Sequence, residues 1–130
     1  MKTHFDEQLT PHFSLREMTN SGTAVRLGID NTPDDTQKEA LRQLCTHVLE
    51  PLRLRFGRII VSSGFRSAVL NRAVGGKADS QHLRGEAADI HCASREQAAL
   101  YYEYIRRELD FDQLLQERRL GNGCCWLHVS

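Results

Sequence analysis

Cysteine is scarce and unpatterned in this chain. Cys45, Cys92, Cys124 and Cys125 form no C-x-x-C pair, and a bridge between the vicinal Cys124 and Cys125 would be strained. No disulfide framework is expected, and the usage suits synthesis in a reducing compartment. Three prolines and nine glycines, without a repeat, exclude a collagen-like or low-complexity chain. No apolar run exceeds the five residues Ala98 to Tyr102, far too short for a membrane span. Neither sign of charge is in excess. Seventeen basic residues face seventeen acidic ones, so no bulk field steers the chain onto nucleic acid or anionic lipid. Met1 to Leu9 lack the apolar core of a secretory signal. The expectation is synthesis in the cytoplasm, with release by another agent if the chain acts outside a cell.

What is present is the make-up of a packed domain. The chain has 130 residues, 40% of them hydrophobic and 26% charged. That is enough to bury about two-thirds of the unfolded surface around one core. Residues 1–130 are expected to form one monomeric domain. Ser14 and Glu17 make a capping box for a short helix, with Phe13 stapled onto Met18. Thr32 as cap and Pro33 at the first position predict a second helix. Leu41, Leu44, Cys45, Val48 and Leu52 give its apolar face, with a kink at Pro51 and a stop at Gly57. A third helix follows Ser94, its stripe being Ala98, Tyr101, Tyr102, Ile105 and Leu109. Arg58 to Ser62, Glu86 to Cys92, Phe111 to Glu117 and Cys124 to Val129 read as strands. The last two are joined through a turn at Gly121-Asn122-Gly123. Helices first and strands later predict an α+β fold with a small antiparallel sheet packed by helices.

Histidine carries the chemistry. His4, His12 and His47 lie in polar or helical surroundings and read as ordinary residues. His82 sits in Ser80-Gln81-His82-Leu83-Arg84-Gly85-Glu86-Ala87-Ala88-Asp89, where small residues let the backbone fold closely and bring imidazole and carboxylate together. His128 stands inside the strand-like run Cys125-Trp126-Leu127-His128-Val129, where its ring nitrogens need partners. Two imidazoles and a carboxylate make a tripod suited to Zn²⁺ with a fourth position left open. His91, two residues after Asp89, falls on the same strand face and reads as incidental. Cys124 and Cys125 point to opposite faces, so both cannot reach one metal and they read as buried small hydrophobes.

The pattern Ser80-x-His82-x-x-Gly85-x-Ala87-x-Asp89 resembles the SxHxxGxAxD signature of the zinc D-Ala-D-Ala peptidases (metallopeptidase family 15), which trim wall peptides. Trp126-Leu127-His128 is similar to that family's W-[IV]-H segment. Ser62-Ser63-Gly64-Phe65-Arg66-Ser67, Leu70-Asn71, Val74-Gly75-Gly76, Phe111-Asp112-Gln113-Leu114-Leu115 with Glu117, and the opening Phe13 to Met18 resemble blocks of its small single-domain branch. The resemblance covers roughly residues 12 to 130. It implies a Hedgehog/DD-peptidase-like fold, with His82, Asp89 and His128 as ligands to one zinc ion per chain. It also puts Arg66 beside substrate, where a guanidinium binds a carboxylate or steadies an oxyanion. Ser80 either bonds substrate or steadies the loop, and Gln113 orients substrate or a ligand imidazole. Many relatives carry an acid three residues before the last histidine. Here that residue is Cys125, so the general base passes to Glu117, on one strand face with Gln113 and Leu115.

The function this implies is hydrolysis of an amide next to a D-amino acid in peptidoglycan stem peptides, by a carboxypeptidase or an endolysin-type endopeptidase of phage or prophage kind. The competing reading is a zinc module of the same fold that binds wall peptide or a protein partner without cutting it. Hedgehog signalling domains resemble these peptidases in that way, and Cys125 at the usual acid position favours it.

Overall fold

Helix starts in this chain follow its capping chemistry. A computed structural model describes residues 7–118 and 125–130. In it the Ser14 hydroxyl accepts from the Glu17 N–H while Glu17 reaches back to the Ser14 N–H, closing the expected box over α1 (Leu15–Thr19). Phe13 and Met18 are both fully buried beneath it. Ahead of α1 lies a two-stranded pair, β1 (Gln8–Thr10) and β2 (Phe13–Ser14), which sequence pattern did not reveal. Ser21 caps α2 (Gly22–Leu27).

The next helix begins later than Thr32 and Pro33 suggest. Thr32 bonds Asp30 through both its N–H and its hydroxyl, so the cap falls to Asp34, whose carboxylate accepts from the Gln37 N–H. The apolar stripe from Leu41 to Leu52 is divided among α3 (Asp35–Leu44), a π-helical stretch (Cys45–Leu49) and α4 (Glu50–Phe56). Pro51 offers no N–H to the carbonyl four residues back, and the chain widens just before it. Gly57, at φ 84°, ends α4.

Four strands form the main sheet in the order β3 (Val61–Ser63), β4 (Ala88–Cys92), β6 (Cys125–Val129), β5 (Leu114–Arg118), every pair antiparallel. The α+β expectation therefore holds, but three strands differ from their expected bounds, and Glu86 and Ala87 lie outside β4. Of Arg58 to Ser62 only Val61 and Ser62 join β3, which runs on to Ser63 through a bulge opposite Asp89 and Ile90. Phe111 to Gln113 lie outside β5. Cys124 and the Gly121-Asn122-Gly123 turn, like His4, fall outside the described residues. Between β3 and β4 come α5 (Ala68–Ala73) and a 3-10 turn (Gln81–Arg84); α6 (Arg95–Glu108) follows β4.

Alternation decides which face does what. Ala88, Ile90 and Cys92 of β4, Cys125, Leu127 and Val129 of β6 and Leu114 of β5 point inward, onto the α6 stripe of Ala98, Tyr101 and Ile105 and the α3–α4 face of Leu41, Val48, Leu49 and Leu52. The opposite face, carrying Asp89, His91, Trp126, His128, Leu115 and Glu117, is left for the site. Among the described residues no helix is long and apolar enough to cross a membrane.

Candidate metal centre

His82 is held from two sides. Ser80 caps the 3-10 turn by accepting the His82 N–H at 3.2 Å, and Gly85 ends the turn at φ 73°. The ring is buried, and its Nδ1 lies 2.7 Å from the Gly64 carbonyl. A carbonyl only accepts, so Nδ1 carries the proton and the Nε2 lone pair is free to face outward. It faces Asp89, with Oδ1 at 3.4 Å. Asp89 and His128 are directly opposed across β4 and β6, and His128 Nδ1 lies 3.0 Å from the same oxygen. The two rings are 5.3 Å apart at 67°. Burial alone would raise the Asp89 carboxyl, but the hydrogen bond with His128, and one with His82 when a proton sits on its Nε2, outweigh it and hold the group down to about 2.

These donors suit a metal ion. One ligand atom from each of His82, Asp89 and His128 lies within 4.8 Å of the others. Zinc bonds of about 2.0–2.1 Å in a tetrahedron put neighbouring donors roughly 3.3 Å apart, close to the 3.4 and 3.0 Å seen here. The free lone pair of His82 Nε2 aimed at an anionic oxygen is repulsive unless a proton or a cation sits between them. The Gly64 carbonyl behind His82 is the outer partner that a ligating imidazole usually has.

Arg66 stands at the rim of this group. Its N–H donates to the His82 carbonyl at 3.1 Å. The guanidinium is half-buried, which lowers its pKa against the opposing pull of the Asp89 charge, and its Nε is buried without a hydrogen-bond partner among the described residues. Arg66 lines two cavities. One, of about 470 Å³, also holds Ser80, Gln81, Gln113, Glu117 and His128. The other, of about 410 Å³, holds Ser63, Asp89 and Trp126. The cleft thus extends on both sides of the donor group.

Glu117 is exposed and pairs with Trp126, while Leu115 pairs with His128. Glu117 is therefore a diagonal neighbour of His128 on the same face, roughly 7–8 Å away between backbones, within reach of a long side chain. Gln113, just ahead of β5, shares the cavity; its carbonyl accepts the Ser130 N–H at 3.0 Å and its own N–H donates to the Ser130 hydroxyl oxygen at 3.2 Å. Cys125 faces the core, so no side chain at that position reaches the cleft. His91 is exposed opposite Trp126 on the site face, outside the three-donor group. His12 is taken up by Glu50 at 2.8 Å, and His47 lies 3.0 Å from Gln43.

Two supports escaped sequence reasoning. Asn31, buried, donates to the Thr19 and Phe65 carbonyls at 2.8 and 3.0 Å and accepts the Ser67 N–H at 2.7 Å, clamping the backbone on both sides of Arg66. Its partners lie up to 36 residues away, and no local signal marks it. Gln37, in the α3 cap, also donates to the Leu83 carbonyl at 3.1 Å and so holds the turn that carries His82. Lys77, Asp79 and Arg84 line the larger cavity as well.

Fold and site together define a class, small α+β domains with three side chains that could hold a metal ion at an open cleft. The chain belongs to the Peptidase M15 family, whose model matches residues 11–129. That makes it a metallopeptidase of a zinc-dependent, D-Ala-D-Ala carboxypeptidase-like family, with peptides as substrates. No curated protein and no solved structure matches the chain.

Proposed function

We propose that the chain is a zinc peptidase that hydrolyses an amide next to a D-amino acid in peptidoglycan stem peptides. The observation that carries this reading is the convergence of His82, Asp89 and His128 within 4.8 Å at a cleft that also holds Arg66 and Glu117. His82 through Nε2, Asp89 through a carboxylate oxygen and His128 through Nδ1 would hold the ion. When bound, zinc supplies a Lewis acid that activates water and polarises an amide carbonyl.

The chain's own residues do the rest. Arg66, with an unused Nε–H at the rim, donates to the carbonyl oxygen as it gains negative charge. Glu117 takes the proton of the attacking water and returns it to the leaving nitrogen. Ser80 spends one lone pair on the His82 N–H and keeps its own hydrogen for substrate in the cavity. Gln113 binds substrate in the same cavity.

Incubation of the zinc-loaded protein with purified muropeptides, followed by mass spectrometry, tests this. Loss of a terminal alanine or a cut cross-bridge is expected. Glu117→Gln should lower kcat by about 10²- to 10⁴-fold with its zinc content unchanged. A full rate in Glu117→Gln would remove that residue from the mechanism. The absence of any product across the pH range, with zinc bound, would point instead to a binding module of the same fold.

A further inference from the structure

Gln81 stands between Ser80 and His82, at a position that the signature leaves open. Its Nε2 donates to Asp112 Oδ2 at 2.6 Å. A carboxylate only accepts, so the amide nitrogen must face Asp112 and the amide oxygen must point away from it. That oxygen, Oε1, is buried without a hydrogen-bond partner among the described residues, and Gln81 lines the same cavity as Arg66 and His128. Arg66 Nε is in the same condition. Buried polar atoms are normally paired, and an unpaired acceptor together with an unpaired donor along one cavity is the complement of a peptide backbone, with its N–H and its carbonyl.

Asp112 is itself fixed. Its N–H donates to the Ser130 carbonyl at 2.6 Å, and the Ser130 N–H returns to the Gln113 carbonyl at 3.0 Å. The Asp112–Gln81 bond therefore ties the end of β6, two residues beyond His128, to the turn that carries His82. This gives a role to Asp112 in the Phe111-Asp112-Gln113 block, which the hydrolytic machinery leaves unused.

We propose that Gln81 is a substrate-binding residue whose Oε1 accepts a backbone N–H of the bound peptide, with Arg66 Nε donating to a carbonyl of the same peptide. Asp112 is the positioning residue that turns the amide the right way. The inference rests on the peptidase reading for its ligand class, a stem peptide, but not for the cleavage step.

The test uses the full zinc-loaded chain, an acetylated L-Lys-D-Ala-D-Ala tripeptide, and analogues each N-methylated at one backbone amide. Affinity is read by calorimetry, and KM and kcat by product analysis. One methyl group should weaken binding to the wild type about tenfold and leave Gln81→Ala less than about twofold affected, because the lost N–H already has no acceptor. Gln81→Ala itself should raise KM about five- to tenfold with kcat and zinc content nearly unchanged. Gln81→Glu alone sets two carboxylates against each other and should bind poorly. Combined with Asp112→Asn it reverses the bond, keeps an acceptor in the cavity, and should restore affinity to within about threefold of the wild type. If Gln81→Ala does not fold, the same peptides are compared on the double variant, which should keep the wild-type sensitivity, and on Asp112→Ala, which should lose part of it. Equal sensitivity of wild type and Gln81→Ala to every methylated peptide would overturn the proposal and leave the Gln81–Asp112 bond as a latch. A wild type that shows the coupling yet cuts nothing would contradict the peptidase reading and leave this inference standing. Cutting without coupling would do the reverse, and no binding of any peptide would overturn both.

Discussion

The chemistry of the site depends on where single polar atoms are spent. His82 uses one nitrogen on the Gly64 carbonyl, and this decides which lone pair faces Asp89. Gly64 can sit there because it has no side chain; a Cβ would run into the Met18 carbonyl. Asn31 does the equivalent work for Arg66. Asn31→Ala would leave two carbonyls and one N–H unpaired in the interior. It should cost about 2–3 kcal/mol of stability by urea unfolding. It should also raise KM while zinc content stays at the wild-type level. Unchanged KM in a folded variant would show that the clamp does not place Arg66. The thiols are spent on packing. Burial, with the carboxylates of Glu50 and Glu17 nearby, pushes Cys45 up to about 12, and burial with the neighbouring Cys125 pushes Cys92 up to about 11. Both stay protonated at pH 8, so peptide mapping after iodoacetamide treatment should find them unmodified in the folded protein and alkylated in urea. Rapid modification of either without denaturant would contradict their placement in the core.

At the scale of elements, β6 and the 3-10 turn bear most of the site. Leu127 is fully buried between two residues of the site face, so Leu127→Ala should cost about 2–5 kcal/mol. Gly85 ends the turn at φ 73°, and a Cβ there would meet the Gln37 carbonyl. Gly85→Ala should therefore destabilise by about 1–2 kcal/mol from backbone conformation alone. It should also weaken zinc binding, read by competition with a chelator, because the turn that carries His82 must shift. A zinc affinity equal to the wild type would contradict that coupling. Much of this level is written locally. The Ser14–Glu17 box, the Ser94 cap, the Gly57 stop and the period-two alternation of β4 and β6 are contacts within a few residues, and each is visible in the chain. The three donors are visible for a different reason, a spaced signature that resembles a family. What stays hidden depends on distant partners. Thr32 loses its capping role to Asp30, β3 slides toward Ser63 because its register is set by β4, and Asn31 has no local mark at all.

Over the whole molecule, the fold separates packing from chemistry by sheet face. The helices close one side, and the other is left to Asp89, His128, Glu117 and the cleft that passes Arg66 on both sides. The donors come from a turn after α5, from β4 and from β6, so the centre exists only when the whole sheet is assembled. A chain ending at Cys125 lacks His128 and every β6 residue that pairs with β4 except Cys125 itself, and should lose both zinc and cooperative unfolding. The most direct measurement is elemental analysis of the purified protein after zinc exposure and dialysis, wild type beside His82→Ala. About one zinc ion per wild-type chain and almost none in the variant are expected, with matching far-ultraviolet circular dichroism. A folded wild type without zinc, or a His82→Ala variant that retains it, would contradict this expectation.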